Sequence, residues 1–366
     1  MYGGFETFAA ELSTRLVKRG HDVTVYCRRA LYQDEPQVWH GVRRIELPAV
    51  GHKYLETVTH ALLSSVDALG RGFDAVLLCN AANSFVLPLL RSARLAVAVN
   101  VDGIERRRRK WNVAGKLVHL AGEALSSGSA SAIVADAQVI ADYYRTAFGL
   151  VPEVVAYGSQ FPEEADSRIL ETLGIKARAY VLYVSRFEPE NNALELVQAY
   201  GRVNTSFPLV MVGDAPYARD YVASVRRSSD RRVIFPGFVF GQDYRTLQRN
   251  ALLYVQATEV GGTHPAMIEA MGSGGAVLAN NTAENREAGG DTVEYFEVHG
   301  SDETLSHKLQ RLLDDPPAID VYRTKARARA FSLYDWERVT DQYERLFRRL
   351  VDPSVPAESV QTHPTK

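Results

Sequence analysis

The sequence predicts an α/β protein made of two doubly wound domains, each with a parallel sheet covered by helices on both faces. Its 366 residues exceed the length of one ordinary domain. Short apolar runs alternate with amphipathic helical segments twice, first in residues 1–158 and again in residues 179–332. A polar stretch, residues 159–178, separates the two series and is the predicted linker.

The composition is that of a folded globular protein, with 46% hydrophobic and 23% charged residues. No apolar run reaches the roughly 18 residues of a membrane-spanning helix, so none is expected. Cys27 and Cys79 stand in apolar, strand-like runs, which indicates reduced core thiols in the cytoplasm and no disulfide. The histidines lack metal-ligand spacing, so the sequence predicts neither a metal site nor a cofactor.

The first series begins on a glycine loop, Gly3-Gly4, that leads into a helix with Phe8, Leu12 and Leu16 on one face. In a doubly wound sheet such a loop follows the central strand, and here that first strand is missing. We therefore expect a natural start about 15–20 residues upstream, unless another segment fills the gap. The predicted strands are 21–27, 42–47, 75–78, 95–101 and 132–135, and the predicted helices are 54–69, 84–90, 114–126 and 138–148.

The second series repeats the alternation. Its predicted strands are 180–185, 208–212, 233–235 and 252–256, and its predicted helices are 192–203, 216–227 and 243–249. Helices are also predicted at 302–314 and 321–330, and a long one at 333–351. Residues 352–366 read as a disordered tail, because they are polar and carry prolines.

The stretch from Glu259 to Phe296 follows this alternation and contains the clearest candidate for a binding site. Gly261 and Gly262 supply a flexible approach, Thr263 is a predicted N-cap, and Pro265 suits the first turn of a helix over 265–273. The free N–H groups and the positive dipole end of such a helix suit a phosphate. His264 could contact a sugar or phosphate, or only cap the helix.

The residues themselves are more specific than this geometry. GGTHPAMIEAMGSG, followed by NREAGGDTVEYF, and YGGFET near the start resemble segments of retaining glycosyltransferases of family 4, which have the GT-B fold. The nearest subgroup is the rhamnosyltransferase-like enzymes of bacterial polysaccharide assembly. The resemblance implies that Glu269 holds the nucleotide ribose. It also implies that the helix at 333–351 crosses back onto the first domain. The family motif has two carboxylates eight positions apart, and the first falls on Gly261 here.

Several further residues are predicted to contact the donor. Arg186 follows the first strand of the second domain, and a guanidinium can clamp a diphosphate; an ion pair with a neighbouring glutamate is the alternative. Asn191 stands where the wider family often has a lysine. Gly3 and Gly4 are predicted to contact the donor diphosphate, with Gly262, Thr263 and His264 on the other side. Asn285, Arg286 and Glu287 begin a polar turn that could order the donor loop.

The acceptor side is predicted from the end of another strand. Asp102 is well placed to contact an acceptor hydroxyl, because ligands of open α/β sheets bind beyond the carboxyl ends of strands. The adjoining Glu105, Arg106 and Arg107 begin a basic run that could hold an acceptor diphosphate, meet a membrane surface, or form a solvated face. Glu6 is either a first-turn carboxylate favoured by the helix dipole or an acceptor contact.

Together these residues and the resemblance to family 4 imply a metal-independent glycosyltransferase that retains anomeric configuration, with Asp102, Arg186 and Glu269 as the catalytic set. The expected donor is a dTDP- or UDP-sugar, first of all dTDP-rhamnose. The expected acceptor is a lipid-diphosphate sugar or polysaccharide at the cytoplasmic face of the inner membrane. No nucleic acid partner is expected, because no groove-reading pattern appears. A nucleotide-sugar epimerase of the same fold and a noncatalytic relic that binds a partner remain alternatives.

Overall fold

In a computed structural model, the described residues are 4–32, 36–51, 55–109, 111–159, 168–298, 304–352 and 354–355. Gly3 and most of the predicted tail lie outside them. The helices of the first half are α1 (Gly4–Lys18), α2 (Arg29–Tyr32), α3 (Glu56–Ala68), α4 (Leu87–Ser92), α5 (Val113–Ser129) and α6 (Gln138–Phe148). Its strands are β1 (Thr24–Arg28), β2 (Val38–Trp39), β3 (Val42–Leu47), β4 (Ala75–Cys79), β5 (Ala96–Asn100), β6 (Ala132–Ala135) and β7 (Glu153–Val154).

The strands of the first half form two sheets among the described residues. One has the order β1-β3-β2 and the other the order β4-β5-β6-β7. All their pairings are parallel except β2 with β3, which close a small hairpin through His40 and Gly41, both at positive φ. Strands β5 and β6 are neighbours, so the residues that follow them meet at one edge.

The second half contains one parallel sheet with the order β10-β9-β8-β11-β12-β13. Its strands are β8 (Val181–Val184), β9 (Leu209–Val212), β10 (Val233–Gly237), β11 (Leu253–Gln256), β12 (Ala276–Asn280) and β13 (Glu294–Phe296). Its helices are α7 (Arg168–Thr172), α8 (Ala193–Tyr200), α9 (Arg219–Ser228), α10 (Gly241–Asn250), α11 (Pro265–Gly272), α12 (Ala283–Gly289), α13 (Leu305–Leu313), α14 (Pro316–Leu333) and α15 (Trp336–Val351). The structure thus confirms the predicted α/β class with parallel sheets.

The last helix, α15, packs against α1 of the first half. Arg19, directly after α1, donates to Asp341 at 2.6 Å and to Glu344 at 2.9 Å. The buried Asn100 amide, at the end of β5, donates to the Tyr343 hydroxyl at 2.9 Å. The ring of Trp336 lies against Gly158, where a Cβ atom would approach Trp336 Cδ2 to 2.3 Å. Helix α15 therefore joins the two halves through ion pairs, a buried hydrogen bond and close packing.

Three core clusters follow from this arrangement. The largest runs through both halves and contains Phe8 of α1, Tyr180 before β8 and Tyr343 of α15, each at most 1% exposed. The other two lie on the remaining faces of the sheets. The predicted linker also contributes: it contains α7, and its Leu170 and Ile175 are buried in the largest cluster. No helix of the described chain has the length and apolar character needed to cross a bilayer.

Candidate active site

Four loops meet where the two halves of the chain face each other. Residues after β5 and β6 come from the first half, and residues after β8 and β11 from the second. Strands β8 and β11 are neighbours, and their loops are joined by a hydrogen bond from the Glu259 N–H to the Glu190 carbonyl at 2.9 Å. Both sides of the cleft are thus the carboxyl ends of parallel strands, where ligands of such sheets bind.

The loop before α11 is held to the first half by Asp136, which follows β6. The backbone N–H of Thr263 donates to Asp136 Oδ2 at 2.7 Å, and the Thr263 hydroxyl donates to the Asp136 carbonyl at 2.6 Å. The prediction that Thr263 caps α11 is therefore wrong, because its hydroxyl is used across the cleft. The N-cap position is His264, without a side-chain cap bond, and Pro265 occupies the first turn as predicted.

Two glycines allow the halves to approach closely at this point. A Cβ atom on Gly262 would lie 2.2 Å from both carboxylate oxygens of Asp136. A Cβ atom on Gly103 would lie 2.8 Å from backbone atoms of Gly261 and Gly262. A larger residue at Gly103 would push the two halves apart, and a larger residue at Gly262 would displace the Asp136 carboxylate.

The imidazole of His264 fills the space beside Gly261. A Cβ atom on Gly261 would lie 2.4 Å from His264 Cε1, so the ring stands where a side chain at this position would begin. Burial, with a smaller contribution from Arg108, lowers the pKa of His264 to about 4. The imidazole is therefore neutral near pH 7 and can contact a ligand only as a neutral donor or acceptor.

Glu269 lies one turn into α11 and is held by a chain of hydrogen bonds. The Tyr244 hydroxyl of α10 donates to Glu269 Oε2 at 2.5 Å, and the Gln248 amide donates to that hydroxyl at 2.9 Å. Burial raises the pKa of Glu269 to about 7, although the Tyr244 bond opposes the shift and Glu11 of α1 adds to it. A carboxylate fixed in this way can accept hydrogen bonds from a diol.

Arg186 follows β8 and is partly exposed, with 42% of its side chain accessible. Its Nη2 lies 3.8 Å from Glu188 Oε2, which is the ion pair considered as the alternative to diphosphate binding. The Asn191 amide is turned inward and donates to the Arg186 carbonyl at 2.7 Å. Asn191 is only 4% exposed, so its observed contact positions the Arg186 backbone.

Asp102 follows β5 with a left-handed backbone, φ 56°. The Tyr157 hydroxyl donates to Asp102 Oδ1 at 3.1 Å, and the Asp102 N–H donates to Asn100 Oδ1 at 3.0 Å. Burial raises the pKa of Asp102, with Glu105 adding to the shift and Arg108 opposing it. Burial and the neighbouring Asp102 also hold the pKa of Asp136 well above its usual range. The cleft therefore contains two carboxyl groups that resist ionisation together.

Helix α1 brings its N-terminal end to the same cleft. A Cβ atom on Gly4 would lie 3.5 Å from Pro265 Cγ, so the first turns of α1 and α11 face each other. Glu6 stands half-buried in the first turn of α1. The first turns of two helices thus converge where anionic groups are favoured.

The basic run after Asp102 is largely paired with carboxylates. Arg106 Nε lies 3.2 Å from Glu123 Oε2, and its Nη2 donates to the Tyr143 hydroxyl at 2.7 Å. Arg107 is exposed, with its guanidinium 5.8 Å from the Tyr143 ring. This part of the run packs on the first half of the chain.

The other arginines of the run reach across the cleft. Arg108 pairs with Glu105 at 2.7 Å and with Glu188 at 3.3 Å. Arg109 pairs with Glu259 at 2.8 Å. These cations therefore hold the two halves together, a role that the sequence pattern did not predict.

Sequence reasoning also missed the polar groups that support the site from a distance. Asp136 lies 127 residues from Thr263, and Tyr244 lies 25 residues from Glu269. Glu287 of α12 was predicted in a turn that could order the donor loop, but its carboxylate accepts from Gln138 N at 2.5 Å and from Val139 N at 2.9 Å, at the start of α6. The sequence offered one signal for this contact. The N-cap residue of α6 is Ala137, whose side chain cannot accept a hydrogen bond from the first backbone N–H groups of the helix.

The other two residues of the predicted polar turn have structural partners. The Asn285 amide donates to the Asn280 carbonyl at 2.9 Å, and the Arg286 guanidinium lies 4.1 Å from the centre of the Tyr295 ring. Within the described part of the chain, no group of three or more His, Cys, Asp or Glu side chains forms a metal-binding cluster. The site therefore offers a fixed carboxylate, a guanidinium and helix N-termini around one cleft.

Comparison with known proteins agrees with this architecture. Residues 3–158 match the family described as Glycosyl transferase 4-like domain, and residues 178–315 match Glycosyl transferases group 1. The chain is 25% identical over 271 residues to lipopolysaccharide 1,2-N-acetylglucosaminetransferase of Salmonella typhimurium, covering 68% of this chain and 70% of that protein.

Solved structures show the same fold over nearly the whole chain. Sucrose-phosphate synthase from Thermosynechococcus elongatus superimposes with a TM-score of 0.80 at 20% identity, covering 95% of this chain and 94% of that one. Anabaena HepE in complex with UDP-glucose gives a TM-score of 0.75 at 17% identity, covering 94% and 96%. The two matched families together span most of the sequence. The chain therefore consists of two glycosyltransferase domains arranged in the GT-B fold.

Proposed function

We propose that this protein transfers a hexose from a nucleotide diphosphate sugar to a lipid-linked or polysaccharide acceptor, with retention of anomeric configuration. The observation that carries the proposal is the fixed Glu269 carboxylate on α11, one turn from a loop that contacts the first half. The Glu269 carboxylate accepts hydrogen bonds from the ribose hydroxyls, and the first turn of α11 faces the diphosphate.

The first donor to test is dTDP-rhamnose, because the motifs resemble the rhamnosyltransferase-like subgroup. UDP-sugars come next, since HepE binds UDP-glucose and the Salmonella relative is an N-acetylglucosaminetransferase. In either case the sugar points toward Asp102 of the first half and lies beside His264, which precedes α11 in the second half. The neutral His264 side chain suits a sugar hydroxyl better than a phosphate.

Catalysis is proposed to act mainly on the leaving diphosphate. Asn191 holds the backbone of Arg186, whose guanidinium carries a permanent positive charge and can stabilise the negative charge that develops on the leaving diphosphate. The acceptor hydroxyl attacks the same face that the phosphate leaves. A phosphate oxygen takes the hydroxyl proton as the new glycosidic bond forms.

The acceptor is proposed to enter along the first half, near Asp102 and the exposed Arg107. Arg106 pairs with Glu123, and Glu105 pairs with Arg108. The paired side chains of Glu105 and Arg106 therefore line the acceptor path. Arg107 can contact an acceptor phosphate or the inner membrane surface. Glu6 lies on the same half of the chain, in the first turn of α1.

A transfer assay separates this proposal from its alternatives. The full chain is incubated with dTDP-rhamnose, UDP-glucose or UDP-N-acetylglucosamine, with and without a lipid-diphosphate sugar, and the products are identified by mass spectrometry. Extension of the acceptor supports the proposal. A donor converted without acceptor indicates an epimerase, and no conversion with any pair indicates a noncatalytic protein.

A further inference from the structure

A second polar cavity lies on the second half of the chain, away from the cleft. Its volume is about 400 Å³, within the range of small-molecule sites. It opens at the C-terminal ends of α10 and α11 and is closed by α14, whereas the cleft faces the beginning of α11. The charged residues that line the cavity are Arg178, Arg249, Arg323, Arg327 and Asp320.

One of these cations, Arg178, is held in a fixed position by backbone carbonyls. Its Nη1 donates to the Ala251 carbonyl at 2.7 Å, and the Gly274 carbonyl lies 3.4 Å away. Its backbone adopts a left-handed conformation, φ 59°, which is unfavourable for a side chain of this size. Burial and the nearby Arg323 lower its pKa to about 10, so the folded chain holds this cation at an electrostatic cost.

The remaining cations leave the cavity strongly positive. Arg323 Nε donates to the Gly274 carbonyl at 2.9 Å, and its Nη1 lies 3.1 Å from Asp320 Oδ1. Asp320 is the single carboxylate among the described lining residues, against four arginines. The lining therefore carries a net charge of +3, because four positive charges meet one negative charge. Like charges at this spacing repel, and an anionic occupant would remove the repulsion.

We propose that this cavity binds a small phosphorylated molecule with at least two negative charges, as a second ligand distinct from the sugar donor. Guanidinium groups bind phosphate oxygens in bidentate fashion, and two of these are already oriented by backbone carbonyls. Ser273, which lines the cavity, donates its N–H to the Glu269 carbonyl at 2.8 Å. Helix α11, about 12 Å long, thus lies between this cavity and the donor loop.

Inorganic pyrophosphate is the probe, titrated calorimetrically at constant ionic strength into the full chain and its variants. Arg327→Gln is the main variant, because it leaves intact the contacts that Arg178 and Arg323 make with backbone carbonyls. Arg186→Gln removes the competing diphosphate contact in the cleft. Arg227→Gln, on the exposed side of α9, is the matched control. Far-ultraviolet circular dichroism checks that each variant is folded.

We expect Arg327→Gln to raise the Kd of one pyrophosphate site about tenfold, the effect of one charge-assisted hydrogen bond. The double variant Arg323→Gln/Arg327→Gln should lose that site, while Arg186→Gln should keep it and Arg227→Gln should change Kd less than about twofold. The proposal is overturned if the wild type binds no pyrophosphate. It is also overturned if the folded double variant binds as the wild type does, or if Arg186→Gln abolishes all binding.

Discussion

Replacing Gly262 by alanine tests whether the two halves depend on the contact with Asp136. The new Cβ atom would lie 2.2 Å from both Asp136 oxygens, and an ordinary contact needs about 3.5 Å, so the carboxylate must move by roughly 1 Å. That movement removes the Thr263 N–H bond, now 2.7 Å long. Overpacking and the lost bond together should lower the free energy of unfolding by about 3 kcal/mol.

Urea denaturation of the full chain measures this loss of stability. A second background, Asp136→Ala, tests whether the clash with the carboxylate causes it. In an Asp136→Ala background the clash is absent, so adding Gly262→Ala should cost less than about 0.5 kcal/mol. Gly128→Ala is the matched control, because nothing lies within 4 Å of a Cβ atom at this exposed position. Equal costs of Gly262→Ala in both backgrounds would refute the reasoning.

Two further predictions follow from single hydrogen bonds. Because burial raises the pKa of Glu269 to about 7, the carboxylate that ribose needs is lost as the pH falls below 7. The nucleotide Kd should then rise about tenfold per pH unit in calorimetry, beyond any slope seen in Glu269→Gln, and identical slopes would contradict a ribose role. Tyr343→Phe leaves the buried Asn100 amide without its 2.9 Å partner and should cost about 1–2 kcal/mol in urea denaturation. A change below about 0.5 kcal/mol would show that this bond does not join the halves.

The elements that could be predicted are those whose local pattern agrees with their place in the fold. Strands β3 and β6 and helix α6 begin and end at the predicted residues, since apolar runs and helical spacing coincide there. Helix α12 was predicted as a polar turn because it is short and polar and ends at two glycines, Gly289 and Gly290. Helix α14 begins at Pro316, five residues before its prediction, because Asp315 caps it and proline suits the first turn.

Some residues of the candidate site could be predicted from the sequence, and others could not. Glu269 and Arg186 could be found because they stand in short, recognisable segments beside predicted strands and helices. Asp136 and the contact of Glu287 with α6 could not be predicted, because each carboxylate accepts from a backbone N–H more than a hundred residues away. Such contacts depend on how the two halves face each other, and local spacing carries no information about that.

The most direct test of the account is the binding of free nucleotides to the full chain. UDP, dTDP and GDP are titrated by calorimetry into the wild type, Glu269→Gln and the control Glu171→Gln, whose side chain is exposed on α7. We predict that one nucleotide binds selectively, that Glu269→Gln weakens it at least about tenfold, and that Glu171→Gln leaves it unchanged. Equal affinity of wild type and Glu269→Gln for every nucleotide would contradict a donor site on α11.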